Sequence, residues 1–176
     1  VGLAAHAGVV DIRITAKAGN EQEADRLIEG VEHPIRARLG DAIFGVDEET
    51  LEGVTFQAAA GRGWNLALLE SGLDGRLARM LSAAQPANLI AVEAASLRPS
   101  ELPERTRQVR ERHSAKAALG VALFRSESEQ AIELHLITPG GEKSRQFTYG
   151  GPPNYSPRWA ANMALNWLRH TAAEME

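Results

Sequence analysis

Apolar and polar residues alternate in VVDIRITAKA (9–18): Val10, Ile12 and Ile14 fall on one side, Asp11, Arg13 and Thr15 on the other. That period of two predicts a half-buried strand. GNEQEADRLIEGVEHPIRARLG (19–40) changes period. Ala24, Leu27, Ile28, Val31, Ile35 and Leu39 make one helical stripe, with Asn20 placed to cap, Glu23 three residues on, and Gly40 as the stop. Pro34 should kink or split this helix. DAIFGV (41–46) reads as a short strand. Residues 1–46 therefore read strand–helix–strand, too small a unit to bury its own apolar face well.

Asp47 is expected to open a second helix, with Leu51, Val54 and Ala58 inward, that stops at the GRG of residues 61–63. WNLALLE (64–70) is a buried strand and GLDGRLARMLSAA (72–84) a helix with Leu73, Leu77, Met80 and Leu81 apolar. ANLIAVEAAS (87–96) is a second buried strand. SELPERTRQVRERHS (100–114) is a charged helix with a thin stripe, Leu102 and Val109, most simply a solvated face. AKAALGVALFR (115–125) is apolar on both faces, as a central strand would be. After the turn SESEQ (126–130), AIELHLITPGGEKSRQFTYGG (131–151) predicts a hairpin around Pro139-Gly140-Gly141. Ser156 and Pro157 mark the start of a closing helix whose inward residues are Ala160, Met163, Ala164, Trp167 and Leu168. Alternating strands and helices with one late hairpin imply an α/β class: a three-layer α/β/α domain with a mixed sheet.

Composition narrows the chemistry. The chain has no cysteine, which excludes disulfides and thiolate zinc sites and fits a reducing cytoplasm. The five histidines (His6, His33, His113, His135, His170) lack metal-ligand spacing, so no metal is expected. A net charge of −4 makes a nucleic-acid surface unfavourable, although GLDG fits the G-x-x-G of KH domains. No apolar run reaches the roughly 18 residues of a membrane helix. The first residues carry no basic signal region, and the missing initial Met suggests a piece of a longer chain. His113 and His135 read as structural or surface residues, and Trp64, Trp159 and Trp167 as core fillers.

LALLESGLDG (66–75) holds the main candidate site. A serine where a strand turns into a helix can be a nucleophile, with following N–H groups to bind an oxyanion and with Gly72 and Gly75 admitting a ligand close to the backbone. It can equally be an N-cap, with Asp74 three residues on. Ser71 and Glu70 are the candidate catalytic residues, Gly72 and Gly75 the candidate substrate-binding residues.

The chain resembles part of the CinA family of competence/damage-inducible proteins. Residues 10–51 are similar to the KH-like α/β segment in the middle of full-length members. LESGLDG (69–75) stands where the family has AESCTGG, VRERHSAKAALGVAL (109–123) where a helix and strand precede its TGIAGP, and residues 131–151 where it has a terminal hairpin. The resemblance implies two domains: a KH-like segment over 1–50 and a C-terminal CinA-like α/β domain over 51–176. It implies a cytoplasmic, homodimeric protein and, in active members, a nicotinamide mononucleotide amidohydrolase without metal or cofactor. A full-length member also carries an N-terminal molybdopterin-binding-like domain.

In that family the motif serine is the nucleophile, assisted by a lysine that follows a tyrosine–serine pair. The serine survives here as Ser71, but Cys-Thr-Gly-Gly has become Gly72-Leu73-Asp74-Gly75. No lysine occurs between 72 and 115, the only tyrosines are Tyr149 and Tyr155, and TGIAGP has become FRSESE (124–129). A serine hydroxyl without a base is a poor nucleophile. Arg98, the nearest cationic candidate, stays protonated, and Asp74 would repel an anion. The expectation is a degenerate site in which Ser71 serves as a cap, with an assembly or structural role. The alternative is an altered deamidase that takes its base from Glu70, Glu93 or a histidine, with a nicotinamide nucleotide as ligand. A nucleic-acid role through the KH-like segment is the third reading.

Overall fold

The computed structural model describes residues 1–126 and 129–174. Glu127 and Ser128, in the expected SESEQ turn and in FRSESE, lie outside the described residues, as do Met175 and Glu176. The chain divides into two units, Val1–Glu48 and Glu49–Glu176.

The small unit opens with an antiparallel hairpin of β1 (Gly2–His6) and β2 (Val9–Arg13), with Leu3 opposite Ile12. Ala7 and Gly8 at its tip both have positive φ, 43° and 91°, the requirement of a type I′ turn. The alanine-rich β1 has no alternating pattern, which hides it in the sequence. Helix α1 (Glu21–Leu39) is capped as expected: Asn20 Oδ1 accepts from the Glu23 N–H at 2.9 Å. It runs without interruption through Pro34, which forgoes one backbone bond but does not split the helix. The expected strand over 41–46 is not formed. A 3₁₀ turn (Gly40–Ala42) and irregular chain take its place, and β2 pairs with residues upstream instead.

The large unit begins with α2 (Leu51–Gly61), later than Asp47, because Thr50 is its cap and accepts from the Gly53 N–H at 3.1 Å. A five-stranded sheet follows, composed of β3 (Leu66–Ser71), β4 (Leu89–Ala94), β5 (Ala117–Arg125), β6 (Gln130–Thr138) and β7 (Gly141–Thr148). Its order is β4-β3-β5-β6-β7. β4, β3 and β5 are parallel, whereas β6 and β7 add antiparallel, so the sheet is mixed. α3 (Arg76–Ala84) and α5 (Ser156–Glu174) pack with α2 on one face, and α4 (Leu102–Arg112) covers the other.

Period-two alternation assigns every side chain of the sheet to one of these faces. Ala67, Leu69 and Ala122 pack with Leu102 and Val109 under α4. Gly120 lies there too, and a Cβ on it would overlap the Thr106 hydroxyl and crowd Leu102, so this glycine is what lets α4 approach β5. Arg145 reaches the opposite layer and lies over the Trp167 ring at 5.0 Å.

The rim of α4 is tied to both ends of the sheet by charge. Glu93 of β4 is held by Arg112 at 2.6 Å and His113 at 2.7 Å. Glu142 of β7 is held by Arg107 at 2.8 Å. Burial by itself would raise the Glu93 carboxyl, but hydrogen bonds from His113 and Arg112 outweigh it and keep the group below its ordinary value. Arg107 likewise holds Glu142 down. Buried His135 is pushed below its ordinary value by desolvation; Glu142 opposes that shift and Arg107 adds to it.

All three folded-state values are depressed, so each contribution to stability is complete above the unfolded value and is lost as pH falls through the folded one. For His135 the decline begins below 6.5, and for the glutamates below 4.5. Urea melts across this range should show stability level above about pH 7 and falling in two stages, because histidine and carboxylate titrate in separate ranges. His135→Gln should remove the upper stage alone; an upper stage that persists in that variant refutes the assignment.

Candidate functional site

Ser71 is the last residue of β3, at the carboxyl end of the parallel strands. The chain then passes through Gly72, Asp74 and Gly75, with φ of 70°, 55° and 71°, before α3 starts at Arg76. A Cβ at Gly72 would overlap the carbonyl oxygen of Leu123 in β5. Gly72 is therefore needed for contact between turn and strand, with or without a ligand. Gly75 is the N-cap residue in the left-handed region, and a Cβ there would lie 3.0 Å from Arg79 Nη1 and 3.9 Å from Glu70 Oε1.

The expectation that Ser71 caps the next helix is corrected by this geometry. The helix begins at Arg76 rather than Gly72, and Gly75 supplies no side-chain cap. Ser71 shares the α4 face with Ala67 and Leu69, away from α3. Its Oγ instead accepts the Leu97 backbone N–H at 3.1 Å and fixes the loop after β4. Glu70 does the capping: its longer side chain, on the α3 face, accepts the Leu77 N–H at 2.9 Å through Oε2. A carboxylate there also favours the positive end of the helix dipole. Glu70 is 2% exposed, and its Oε1 has no hydrogen-bond partner among the described residues.

The same alternation separates Glu70 from Ser71. Neighbours on a strand point to opposite faces, so Glu70 cannot take the Ser71 proton. Glu93 pairs with Leu69 and does share the Ser71 face, but Arg112 and His113 occupy its carboxylate. Across the sheet from Ser71 the register runs through Ala122 to Glu133, two strands and roughly 10 Å away. Lys116 precedes β5, six residues before the Ala122 that pairs with Ser71, or about 20 Å along the strand. Its ammonium donates to the Gly63 carbonyl at 2.8 Å. Lys143 is on the far edge strand.

On the α3–α5 face, beside the turn, is an open depression of about 390 Å³ lined by Asp74, Arg76, Arg79, Arg125, Asn154 and Pro157 among others. Arg125 Nη2 stands 3.4 Å from Asp74 Oδ2, and Arg76 Nε is buried without a partner among the described residues. These arginines have no counterpart among the candidate site residues of the sequence. They come together because the end of β5, the first turn of α3 and the start of α5 converge here.

This is a three-layer α/β domain of mixed-sheet type with a strand–turn–helix element, closed around a buried serine and glutamate. Residues 1–45 match the model of the damage-inducible protein CinA KH domain. A CinA-like protein of Thermomicrobium roseum is 38% identical over 94 residues, 53% of this chain and 23% of that protein. One from Thermosynechococcus vestitus is 34% identical over 152 residues, 79% of this chain and 36% of that protein. The chain belongs to the CinA family, and it spans about a quarter to a third of the length of these two relatives. The competence damage-inducible protein A of Klebsiella pneumoniae has the same fold, with TM-score 0.62 at 18% identity over 73% of this chain and 100% of that one. The competence/damage inducible protein CihA of Agrobacterium tumefaciens has TM-score 0.58 at 14% identity over 74% and 99%.

Capping by Glu70 and tethering by Ser71 are separable in chemical melts. Ser71→Ala should cost about 1 kcal/mol, as the Leu97 N–H loses its acceptor. Glu70→Ala should cost roughly 2–3 kcal/mol, for a charge-assisted cap and a buried side chain, and Glu70→Gln, which keeps an acceptor, should cost less. Ser71→Asp should be worse than Ser71→Ala, because it buries a second carboxylate. If Ser71→Asp instead matches the parent, Ser71 does cap a helix.

Proposed function

We propose that residues 51–176 form a non-catalytic CinA-type domain with a degenerate amidohydrolase site, serving assembly or structural coupling within a larger cytoplasmic protein. The observation that carries this reading is the state of Ser71. Its Oγ accepts a backbone N–H, the neighbouring Glu70 is committed to α3 on the other face, and Glu93 is committed to Arg112 and His113. General base catalysis is worth roughly 10²–10⁴-fold, and among the described residues neither Glu70 nor Glu93 is free to supply it. Absence of a long apolar helix among the described residues agrees with a domain that does not cross a membrane by a helix.

A nicotinamide nucleotide remains a ligand under this reading. The depression presents three guanidinium groups, while Arg125 beside Asp74 offsets its negative charge. Arginine is suited to phosphate, which it can grip through two parallel hydrogen bonds. Nicotinamide mononucleotide incubated with the protein should release no ammonia, while calorimetry registers binding that weakens in Arg79→Ala. Turnover at the usual enzymatic rates of about 1–10³ per second would overturn the non-catalytic reading and restore the deamidase.

The homodimer expected from sequence belongs to the same proposal, since α4 exposes most of its charged surface and buries only Leu102, Thr106 and Val109. Light scattering should give twice the chain mass of 19.0 kDa. A monomer at tens of micromolar would remove assembly through self-association from the proposal.

A further inference from the structure

A second polar constellation lies on the α4 face of β6 and β7, two to three strand spacings or roughly 10–14 Å across the sheet from Ser71. His135 is 3% exposed, and its Nδ1 is 2.8 Å from the hydroxyl of exposed Ser144, its cross-strand partner. On its other side Glu142 Oε2 is 3.3 Å from Nε2. That contact is close enough for charge attraction, and Nε2 makes no hydrogen bond among the described residues. Arg107 grips Glu142 and fixes it there.

We propose that Ser144, His135 and Glu142 form a serine nucleophile site that accepts acyl groups from small activated esters. The carboxylate facing Nε2 favours the tautomer with hydrogen on that nitrogen, which leaves the Nδ1 lone pair directed at the Ser144 hydroxyl. Desolvation keeps the imidazole in its neutral, proton-accepting form. Serine with an adjacent, oriented base is the arrangement that activates a hydroxyl.

Backbone pairing supplies the rest. The Tyr149 N–H donates to the Gln130 carbonyl, and the turn closes between Thr138 and Gly141, so bonded pairs alternate with unbonded ones and His135–Ser144 is unbonded. On the edge strand β7 the Ser144 N–H therefore points away from β6, free to donate to a developing oxyanion. Two residues along β7, about 7 Å away, Gln146 begins an open depression of about 310 Å³ at the sheet edge that also includes Glu129, Ala131, Phe147 and Thr148. It has room for a small polar acyl donor.

The chemistry balances without a co-reactant other than water. Ser144 Oγ forms a bond to the ester carbonyl carbon as its proton passes to His135 Nδ1. The ester C–O bond then breaks, and the leaving alcohol takes that proton. Water repeats the sequence on the acyl-serine, which yields the acid and regenerates the hydroxyl.

The test uses p-nitrophenyl acetate and a fluorophosphonate, with intact-mass and peptide mass spectrometry on the full chain. One covalent addition at Ser144 is expected, absent in Ser144→Ala and slowed about 100-fold in His135→Gln, at the lower end for general base catalysis. Because His135 is buried, Glu142→Gln, which removes only a partly exposed ion pair with Arg107, is measured beside it and should slow labelling while lowering the melt less than His135→Gln does. No labelling, labelling at Ser71 or another residue, or a rate at Ser144 indifferent to both His135→Gln and Glu142→Gln overturns the proposal.

Discussion

The approach of Gly72 to the Leu123 carbonyl governs the large unit. Where β3 ends, the chain must turn against β5 without a side chain in between, since any Cβ would overlap that oxygen. Two further residues of positive φ, Asp74 and Gly75, bring the chain around onto the α3–α5 face. α3 then begins close enough for Glu70, one residue from the strand end, to reach its first turn. The arginines of that turn are thereby brought to the end of β5, which makes the cationic depression. Thus one tight contact fixes the helix start, its cap and the charge beside it.

The strands of the large unit were legible because buried runs such as LALLE and AALGVAL have few other ways to fold. The turn after β3 was harder to read. Ser-x-x-Asp looks like a capping box, but that motif assumes a helix starting at once, and the left-handed Asp74 delays it. Glu70 as cap follows only from three-dimensional placement, since its carboxylate and the Leu77 N–H are seven residues apart in sequence. In the small unit, β1 lacks the alternation that reveals a strand, and so DAIFGV reads as the second strand of the unit instead.

Hairpin register shows how one residue decides what chemistry is visible. A three-residue turn at Pro139-Gly140-Gly141 would put His135 opposite Arg145, which would take the place of Ser144 on the α4 face. The observed turn has two residues, and Gly141 is already in β7. His135 consequently faces Ser144 and sits near Glu142, under α4. From sequence alone His135 was an isolated strand histidine, and a turn one residue shorter would have exposed its partners.

The two faces of the sheet carry different burdens, which separates the stability of the fold from the contacts of the serine turn. The α3–α5 face is filled largely by apolar side chains such as Leu66, Leu68, Leu165 and Leu168, all below 1% exposure. That burial does not depend on what Ser71 or Glu93 touch, and at roughly 25 cal/mol per Å² it is the main stabilising term. The α4 face is mixed: apolar at Leu102 and Val109, polar at Ser71, Glu93, His135 and Glu142. Polar groups under a helix must be paired or they cost more than they contribute. Glu93 is paired to α4, Glu142 to α4 and His135, and Ser71 to the loop entering α4. The Ser71 hydroxyl thus acts as a tether, because an apolar replacement would leave the Leu97 N–H without its acceptor.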